Sequence, residues 1–372
     1  MQTTFESLYI HFPFCESKCH YCDFYSIGAE KTKKADVLSF EEALCHEAEL
    51  RSQNLAPKIK TLFMGGGTPS MTPPESMQKA LQPLDLKSKI DGDTEWTMEA
   101  NPSSVDTQKL KAYRELGVNR ISMGVQSLRP DLLTMLGRVH SRDSVFRALD
   151  SIFEAGFDNV SVDLLCGVPG QSVLDVEKAM NELTAYPITH LSCYLLTLHK
   201  THKMYKDLPN EDEQLLHLLT IDQVMTQKGF EHYEISNFAK PGKKAKHNLA
   251  YWTGKSYLGL GPSAHSFDAQ NNQRFKNVSS LHLYAEKLKN NQIPCEWTET
   301  LNEEQLNLEK WLLALRLDDG FPQDWLVTEK QKQKAQLLIK HGLLIAHPTI
   351  QQNLRLTARG FALSEQVIAE LS

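Results

Sequence analysis

The stretch YIHFPFCESKCHYCDF, residues 9–24, places three cysteines within eight residues, directly after an apolar run that predicts a β-strand. The chain holds seven cysteines in all, an odd number that does not suit a framework of paired disulfides. Its first residues lack the basic and apolar segments of a secretory signal, so we expect a cytoplasmic protein with reduced thiols. The stretch therefore predicts a metal ion or a metal cluster bound by these cysteines.

Two kinds of centre fit the spacing of Cys15, Cys19 and Cys22. Thiolates are preferred ligands of iron–sulfur clusters and also of zinc. A closed zinc site needs four ligands, and His11 or His20 would supply the fourth. Three close thiolates with no second cysteine pair favour a [4Fe-4S] cluster with one iron left open. Counting ligands does not by itself exclude zinc.

Strands and helices alternate through the first two-thirds of the chain. Short β-branched runs are followed by glycine or proline turns and then by amphipathic stretches, a pattern that predicts βαβ units on a parallel sheet. Six units of this kind make a partial barrel or an open sheet. Strands are predicted at residues 8–12, 60–64, 95–99, 120–125, 159–165 and 190–196, and helices at 36–52, 106–116, 141–155, 174–184 and 211–229.

Three polar residues, Glu99, Gln126 and Asp163, lie at the carboxyl ends of predicted strands. Ligands of parallel α/β folds bind at that rim, so we expect a binding site there. Residues 240–262 interrupt the periodicity and predict a long functional loop. After residue 300, helices at 303–317 and 329–341, a strand pair at 342–346 and 353–357, and a closing helix at 361–371 predict a winged-helix-like module.

Composition sets limits on the class of protein. The 372 residues carry 40 Lys and Arg against 46 Asp and Glu, a formal charge of −6, so no protein-wide positive field would hold nucleic acid or anionic lipid. The length indicates a large domain with a smaller one, or two domains. No stretch approaches the ~20 apolar residues that span a bilayer, and any membrane contact would be peripheral.

The cysteine spacing with Tyr9 before it and Asp23-Phe24 after it resembles the cluster motif of the radical S-adenosylmethionine (SAM) superfamily. That resemblance implies that SAM chelates the open iron through its amino and carboxylate groups. The stretch MGGGTP at residues 64–69 follows the second predicted strand and is similar to the superfamily's glycine motif for the SAM amino group. Glycine suits this position because it lets the backbone approach a ligand closely.

Further motifs resemble the HemN/HemW group of this superfamily along nearly the whole chain. They are EANP at residues 99–102, GVQS at 124–127, GRVH at 137–140 and DLLCGVPGQ at 163–171. The resemblance implies a partial (β/α)6 TIM-like radical SAM barrel at residues 1–235, a connecting region at 236–295 and a small α-rich winged-helix-like domain at 296–372. It also implies a SAM site lined by Tyr9, Gly66, Gly67, Thr68, Glu99, Gln126, Arg138 and Asp163. Arg138 is suited to the SAM carboxylate because a guanidinium binds carboxylates in bidentate fashion.

Two positions separate the branches of this group. The oxidase branch, oxygen-independent coproporphyrinogen III oxidase, carries a fourth cysteine where this chain has Phe24. The heme-chaperone branch has phenylalanine there and carries an HNxxYW motif, which this chain has at residues 247–252. Both markers favour the chaperone branch and leave open whether the protein is an enzyme.

The HNxxYW motif also suits heme chemically. A neutral imidazole such as that of His247 is a common axial ligand of heme iron, and Tyr251 and Trp252 offer flat apolar surface to a porphyrin. His265 is a second histidine that would serve instead. Four lysines at 240, 243, 244 and 246 are candidates to pair with the heme propionates, against the ordinary alternative of a solvated loop.

Three functions are compatible with these motifs. The first is a heme chaperone that carries a [4Fe-4S] cluster and SAM and passes heme to respiratory heme proteins. The second is the oxidase. The third is a radical SAM protein with an unrelated substrate such as RNA, which is disfavoured because residues 300–372 lack a broad basic patch, so no nucleic acid partner is expected. A cluster-dependent homodimer is left open.

Overall fold

The computed structural model describes residues 3–372. Their strands, in chain order, are β1 Ser7–Phe12, β2 Phe14–Cys15, β3 Ile27–Gly28, β4 Thr61–Gly66, β5 Glu95–Ala100, β6 Arg120–Gln126, β7 Val160–Cys166, β8 His190–Leu195, β9 Glu231–Glu234, β10 Asn237–Ala239, β11 Leu258–Leu260, β12 His265–Asp268, β13 Gln273–Asn277, β14 Cys295–Thr300, β15 Phe321–Pro322, β16 Leu344–Ala346 and β17 Asn353–Leu356.

The α-helices follow the strand alternation closely. They are α1 Lys34–Arg51, α2 Pro74–Leu81, α3 Leu86–Lys89, α4 Thr107–Leu116, α5 Pro130–Leu136, α6 Arg142–Glu154, α7 Val173–Leu183, α8 Glu211–Gln227, α9 Lys246–Trp252, α10 Leu281–Lys289, α11 Glu303–Ala314, α12 Glu329–Lys340, α13 Ala358–Ala362 and α14 Ser364–Leu371. Among residues 3–372, no helix combines the length and the apolar character needed to cross a membrane.

Local sequence explains where several helices begin and end. The Asp106 side chain accepts a hydrogen bond from Lys109 N at the start of α4, and Gly117, with a φ of 118°, ends that helix. Asn210 and Glu213 form a reciprocal capping box at the start of α8. These signals are local, and for that reason the predicted helices lie within about two residues of the observed ones.

The chain divides into two compact units. The first consists of the described residues through Val162 together with Lys246–Tyr251 and Lys255–Thr300. The second consists of Asp163–Ala245, Trp252–Gly254 and Leu301–Ser372. β7 begins in the first unit and ends in the second.

A parallel sheet organises the first unit. Its strands lie in the order β11-β1-β4-β5-β6-β7, and the pairings of β1 with β11 and β4, and of β5 with β4 and β6, are all parallel. Leu8, Ile10, Leu62, Met64 and Met98 are completely buried on these strands and share one face of the sheet, which is therefore covered. Strand pairing within residues 3–372 does not close the sheet into a barrel, which confirms the predicted open form.

The prediction of a long loop at residues 240–262 is wrong. The stretch contains helix α9 and strand β11, whose Leu258 to Leu260 pair in parallel with Leu8 to Ile10 of β1. A second, three-stranded antiparallel sheet of order β12-β13-β14 follows in the same unit. β11 has only three residues, so its conformation depends on its partner β1 rather than on intrinsic preference.

The second unit contains the C-terminal module. Helices α11 to α14 surround a three-stranded antiparallel sheet of order β15-β17-β16, and Trp311, Phe321, Leu344 and Val367 form part of the core. This arrangement confirms the predicted small α-rich module. The expected single closing helix is instead two helices, because Leu363 between α13 and α14 has a non-helical backbone.

Candidate functional site

The three clustered cysteines lie in one loop at the carboxyl end of β1. Cys15 ends β2, while Cys19 and Cys22 lie in the following loop, and all three are half-buried free thiols. Burial raises the pKa of the Cys15 and Cys22 thiols, and charge repulsion from Cys19 adds to the effect at both. The loop thus presents a set of three thiols, the donor type that iron–sulfur clusters require.

The glycine motif packs directly against the cysteine loop. Gly67 N donates to Phe12 O at 2.6 Å and Thr68 N donates to Phe14 O at 2.7 Å. A Cβ on Gly67 would lie 2.6 Å from both of those carbonyl oxygens, so a side chain cannot be accommodated without moving backbone. Gly66 has a φ of 100°, and a Cβ there would lie 2.3 Å from His11 Cε1. These glycines allow the two predicted cofactor loops to be in contact.

His11 connects Tyr9 to the cysteine loop. Its Nε2 lies 2.8 Å from Tyr25 O, a carbonyl that can only accept, so Nε2 carries the proton and Nδ1 accepts from Tyr9 Oη at 3.0 Å. Burial lowers the pKa of His11 to about 4, so the ring is neutral at pH 7. Both ring nitrogens of His11 are therefore engaged, and it positions the loop instead of offering a fourth zinc ligand.

A polar chain joins the glycine motif to the cysteines through Arg138. Asn101 Nδ2 donates to Thr68 Oγ1 at 3.0 Å, and Asn101 Oδ1 accepts from Arg138 Nη2 at 2.6 Å. Arg138 Nη1 lies 3.4 Å from Cys19 Sγ, and the Thr68 hydroxyl bonds the Cys15 thiol. The guanidinium thus places a positive charge beside the thiol set, where it stabilises negative charge on the sulfur atoms.

Asn101 is a site residue that sequence reasoning missed. It lies in the quoted EANP motif, but an asparagine after a strand ordinarily indicates a turn. Only the positions of Thr68 and Arg138, 33 residues before and 37 residues after it, reveal that its amide links the two. The signal available in the sequence was the motif itself.

The three polar residues predicted at strand ends, Glu99, Gln126 and Asp163, have different surroundings. Glu99 Oε2 accepts from Gly66 N at 3.1 Å, so this carboxylate touches the glycine motif. Gln126 is half-buried with a φ of 63°, an unusual backbone state for a residue with a side chain. Asp163 is half-buried on β7 and belongs to the second unit.

His247 is enclosed at the start of α9. It is 1% exposed, one ring nitrogen lies 2.8 Å from Thr61 Oγ1, and the other lies 2.8 Å from Tyr251 Oη. Its ring stacks on Phe63 at 5.3 Å between centroids. Burial, followed by the nearby Arg120 charge, lowers the pKa of His247 to about 3, so the imidazole is neutral. Coordination of heme iron by His247 would require one of these hydrogen bonds to open.

The other motif residues lie at the end of α9. Tyr251 is half-buried in the first unit and its ring meets Tyr257 edge-on at 4.4 Å. Trp252 belongs to the second unit, where the Arg316 guanidinium lies over its ring at 5.4 Å and Glu234 bonds to it. The structure therefore brings His247 and Tyr251 into direct contact in the first unit and surrounds Trp252 by residues of the second.

Lysines of the run before the motif bond within the protein. Lys240 Nζ donates to Lys228 O at 2.5 Å, Lys244 pairs with Glu231 at 3.3 Å, and Lys246 Nζ donates to Asp93 O at 2.7 Å. These contacts favour the structural interpretation of the lysine run over propionate binding.

Glu234 should make stability depend on pH. Burial raises the pKa of this 1%-exposed carboxyl to about 7, so the folded state keeps its proton after the unfolded state has lost it near pH 4.5. Stability therefore falls as pH rises between those two values, by about 3 kcal/mol at ~1.4 kcal/mol per pKa unit. Urea unfolding of wild type and Glu234→Gln at pH 5 and pH 8 measures this. Equal pH dependence of the two proteins would contradict the assignment.

Within residues 3–372, no three His, Cys, Asp or Glu side chains lie close enough together to hold a single metal ion. The fit to a cluster rests on other features. Three half-buried thiols lie in one loop, a guanidinium lies beside Cys19, and the glycine backbone borders the loop with no room for a Cβ. These features suit a bound iron–sulfur cluster with a small polar ligand beside it.

Comparison with known proteins defines the class. The Radical SAM superfamily matches residues 9–183. The solved structure of coproporphyrinogen III oxidase (HemN) from Escherichia coli, a radical SAM enzyme, has a TM-score of 0.81 to this chain at 21% identity and covers 100% of this chain and 91% of that one. Fold and cysteine loop together are those of a radical SAM protein.

Similar proteins then identify the family within this superfamily. Heme chaperone HemW of Bacillus subtilis is 34% identical over 85% of this chain and 84% of its own, and HemW of Synechocystis is 33% identical over 89% and 82%. A zebrafish relative, radical S-adenosyl methionine domain-containing protein 1, mitochondrial, is 33% identical over 86% and 74%. The chain belongs to the HemW family of radical SAM proteins.

Proposed function

We propose that this protein is a cytoplasmic heme chaperone that carries a [4Fe-4S] cluster and SAM. The observation that carries the proposal is 30–34% identity over at least 84% of the chain to several relatives named heme chaperone HemW. The exposed Phe24 supports it further. Its side chain is 68% exposed, and it stands where the oxidase branch has its fourth cysteine.

The cluster and SAM occupy the two contacting loops in this proposal. Cys15, Cys19 and Cys22 would hold three irons of the cluster, which would leave one iron open to the SAM amino and carboxylate groups. Gly66, Gly67 and Thr68 hold the amino end, and Arg138 pairs with the carboxylate. The remaining lining residues are Tyr9, Glu99, Gln126 and Asp163.

The chain's own residues keep this site ordered. His11 fixes Tyr9 and the backbone of the cysteine loop through its two hydrogen bonds. Asn101 bonds both Arg138, which contacts Cys19, and Thr68, which bonds Cys15. Occupation of the loops by cluster and SAM would tighten an arrangement that already exists.

Heme is the cargo. The HNxxYW motif predicts heme binding by His247, Tyr251 and Trp252, with His265 as the alternative iron ligand, and the bound heme passes to heme-dependent respiratory proteins through a peripheral contact with the membrane. A cluster-dependent homodimer is a further part of the proposal and rests on the family alone.

The second candidate function is coproporphyrinogen III oxidation. It is favoured by the fold shared with HemN along the whole chain. It is disfavoured by Phe24, because phenylalanine cannot replace a thiol in binding or redox chemistry.

One experiment distinguishes the two. The cluster is reconstituted anaerobically in the full chain, hemin is titrated and followed by absorbance, and the same preparation is incubated with coproporphyrinogen III and SAM. We expect one hemin bound per chain and no decarboxylation. Decarboxylation without hemin binding would overturn the chaperone proposal.

A further inference from the structure

Accessibility separates the two histidines that the sequence offers as heme ligands. His247 is enclosed, and each of its ring nitrogens is within 2.8 Å of a hydroxyl. His265 is exposed at the first position of β12. An axial ligand must present a ring nitrogen to a large flat macrocycle, which an exposed strand residue does without rearrangement.

The residues across the strands from His265 form a suitable face. His265 is directly opposite Lys276 on β13, and Lys276 is opposite Trp297 on β14, so the three side chains share one face of the antiparallel sheet. The His265 and Trp297 rings meet edge-on with centroids 6.0 Å apart. Trp297 is 37% exposed, an uncommon state for an indole with no ligand to cover it.

Two residues along, the same face continues with Phe267 and Arg274. They are opposite each other on β12 and β13, and the guanidinium lies over the Phe267 ring at 5.9 Å. The backbone of Tyr257 pairs with Phe267, and its ring touches Tyr251. The HNxxYW motif is therefore connected to the edge of this face through Tyr251 and Tyr257.

Carboxylates are already present beside the cations. Lys276 Nζ pairs with Glu296 at 3.2 Å, and Arg274 is opposite Glu299. The face thus combines an exposed imidazole, an indole and two cations, one of which pairs with a carboxylate. Heme propionates are carboxylates too and would take the place of Glu296 at Lys276.

The face borders the cluster site. The loop before His265 packs on the carboxyl end of β1, since a Cβ on Gly261 would lie 2.4 Å from His11 O. His265 is close enough to His11 for its positive charge to lower the pKa of His11, and His11 in turn bonds Tyr9 and the cysteine loop.

We propose that His265 is the protein ligand of the heme iron and that Trp297, Phe267, Arg274 and Lys276 form the surface on which the porphyrin lies. This inference rests on the proposed heme-chaperone function and assigns its cargo site. His247 then has a structural role, which is to hold Tyr251 against Tyr257 at the edge of the face.

The protonation of His265 agrees with this assignment. Partial burial, followed by the charges of Lys276 and Arg274, holds the pKa of His265 below its ordinary value of 6.5. The ring is therefore neutral near pH 7, the form that coordinates iron.

The test is hemin binding to the full, cluster-reconstituted chain, followed by absorbance and by resonance Raman or EPR detection of imidazole ligation. His265→Ala should weaken hemin at least about tenfold and lose the imidazole signature, which added imidazole restores. Trp297→Ala should weaken binding and keep the signature. His282→Ala, a change of another exposed histidine on α10, should leave both unchanged.

The possible outcomes distinguish the assignment of His265 from the proposed heme-chaperone function. If His265→Ala keeps the wild-type hemin affinity and the imidazole signature, the assignment of His265 is wrong and the chaperone proposal still holds. The same conclusion follows if only His247→Ala, while folded, loses the imidazole signature. Absence of hemin binding in the wild type would overturn both.

Discussion

Alanine in place of Cys19 should leave the reconstituted chain with only background iron and acid-labile sulfide. Cys19 is one of three thiols in a single loop, and two remaining thiolates cannot hold a cluster that already has one open iron. Iron and sulfide analysis, together with the visible absorbance of the cluster, measures the loss. SAM binding should be lost with it, because the open iron is its proposed anchor.

Cys45→Ala is the matched control for Cys19→Ala. Cys45 is also a half-buried free cysteine, but it lies on α1 away from the cysteine loop. Cys45→Ala should keep wild-type iron content. Equal iron in Cys19→Ala and Cys45→Ala would contradict the assigned ligands, and equal loss in both would point to general damage by reconstitution.

Alanine in place of Arg138 should weaken SAM binding by about 1.5–3 kcal/mol, roughly 10- to 150-fold in Kd. The guanidinium is half-buried and held by Asn101, Gly124 O and Cys19, so it is oriented before a ligand arrives. Arg138→Lys should recover only part of the affinity, because lysine keeps the charge and loses the planar fork. Equilibrium dialysis with SAM under anaerobic conditions provides the Kd.

Iron content must be measured on the same samples, since Arg138 also contacts Cys19. We expect the cluster to remain in Arg138→Ala, which attributes the weaker binding to the lost carboxylate contact. Arg142→Ala removes another arginine nearby in sequence, whose guanidinium lies over Phe146 at 4.8 Å, and should leave SAM affinity unchanged. An Arg138→Ala protein with full iron and wild-type SAM affinity would contradict the proposed role.

The sequence predicted the parallel sheet of the first unit closely because its signals are local. Each strand is a short apolar run that ends at a turn, and residues 60–64 and 120–125 became Thr61–Gly66 and Arg120–Gln126. The cysteine and glycine motifs are adjacent in space for the same reason. They follow neighbouring parallel strands, whose carboxyl ends meet at one edge.

Three features could not be read from the sequence because they depend on distant partners. β11 is a strand only where β1 offers it an edge. His247 looks like an available ligand until Thr61, 186 residues away, is seen at its ring nitrogen. His265 was a candidate ligand from the sequence, but the surface around it is seen only when β13 and β14 bring Lys276 and Trp297 beside it.

In the proposed function, this chain binds heme in order to release it to another protein. The most direct measurement loads the cluster-reconstituted chain with hemin, mixes it with the apo-form of a heme-dependent respiratory protein, and follows transfer by the change in heme absorbance. We predict near-complete transfer, faster than from an equal concentration of free hemin. Heme that stays on the chain, or transfer no faster than from free hemin, would contradict the account.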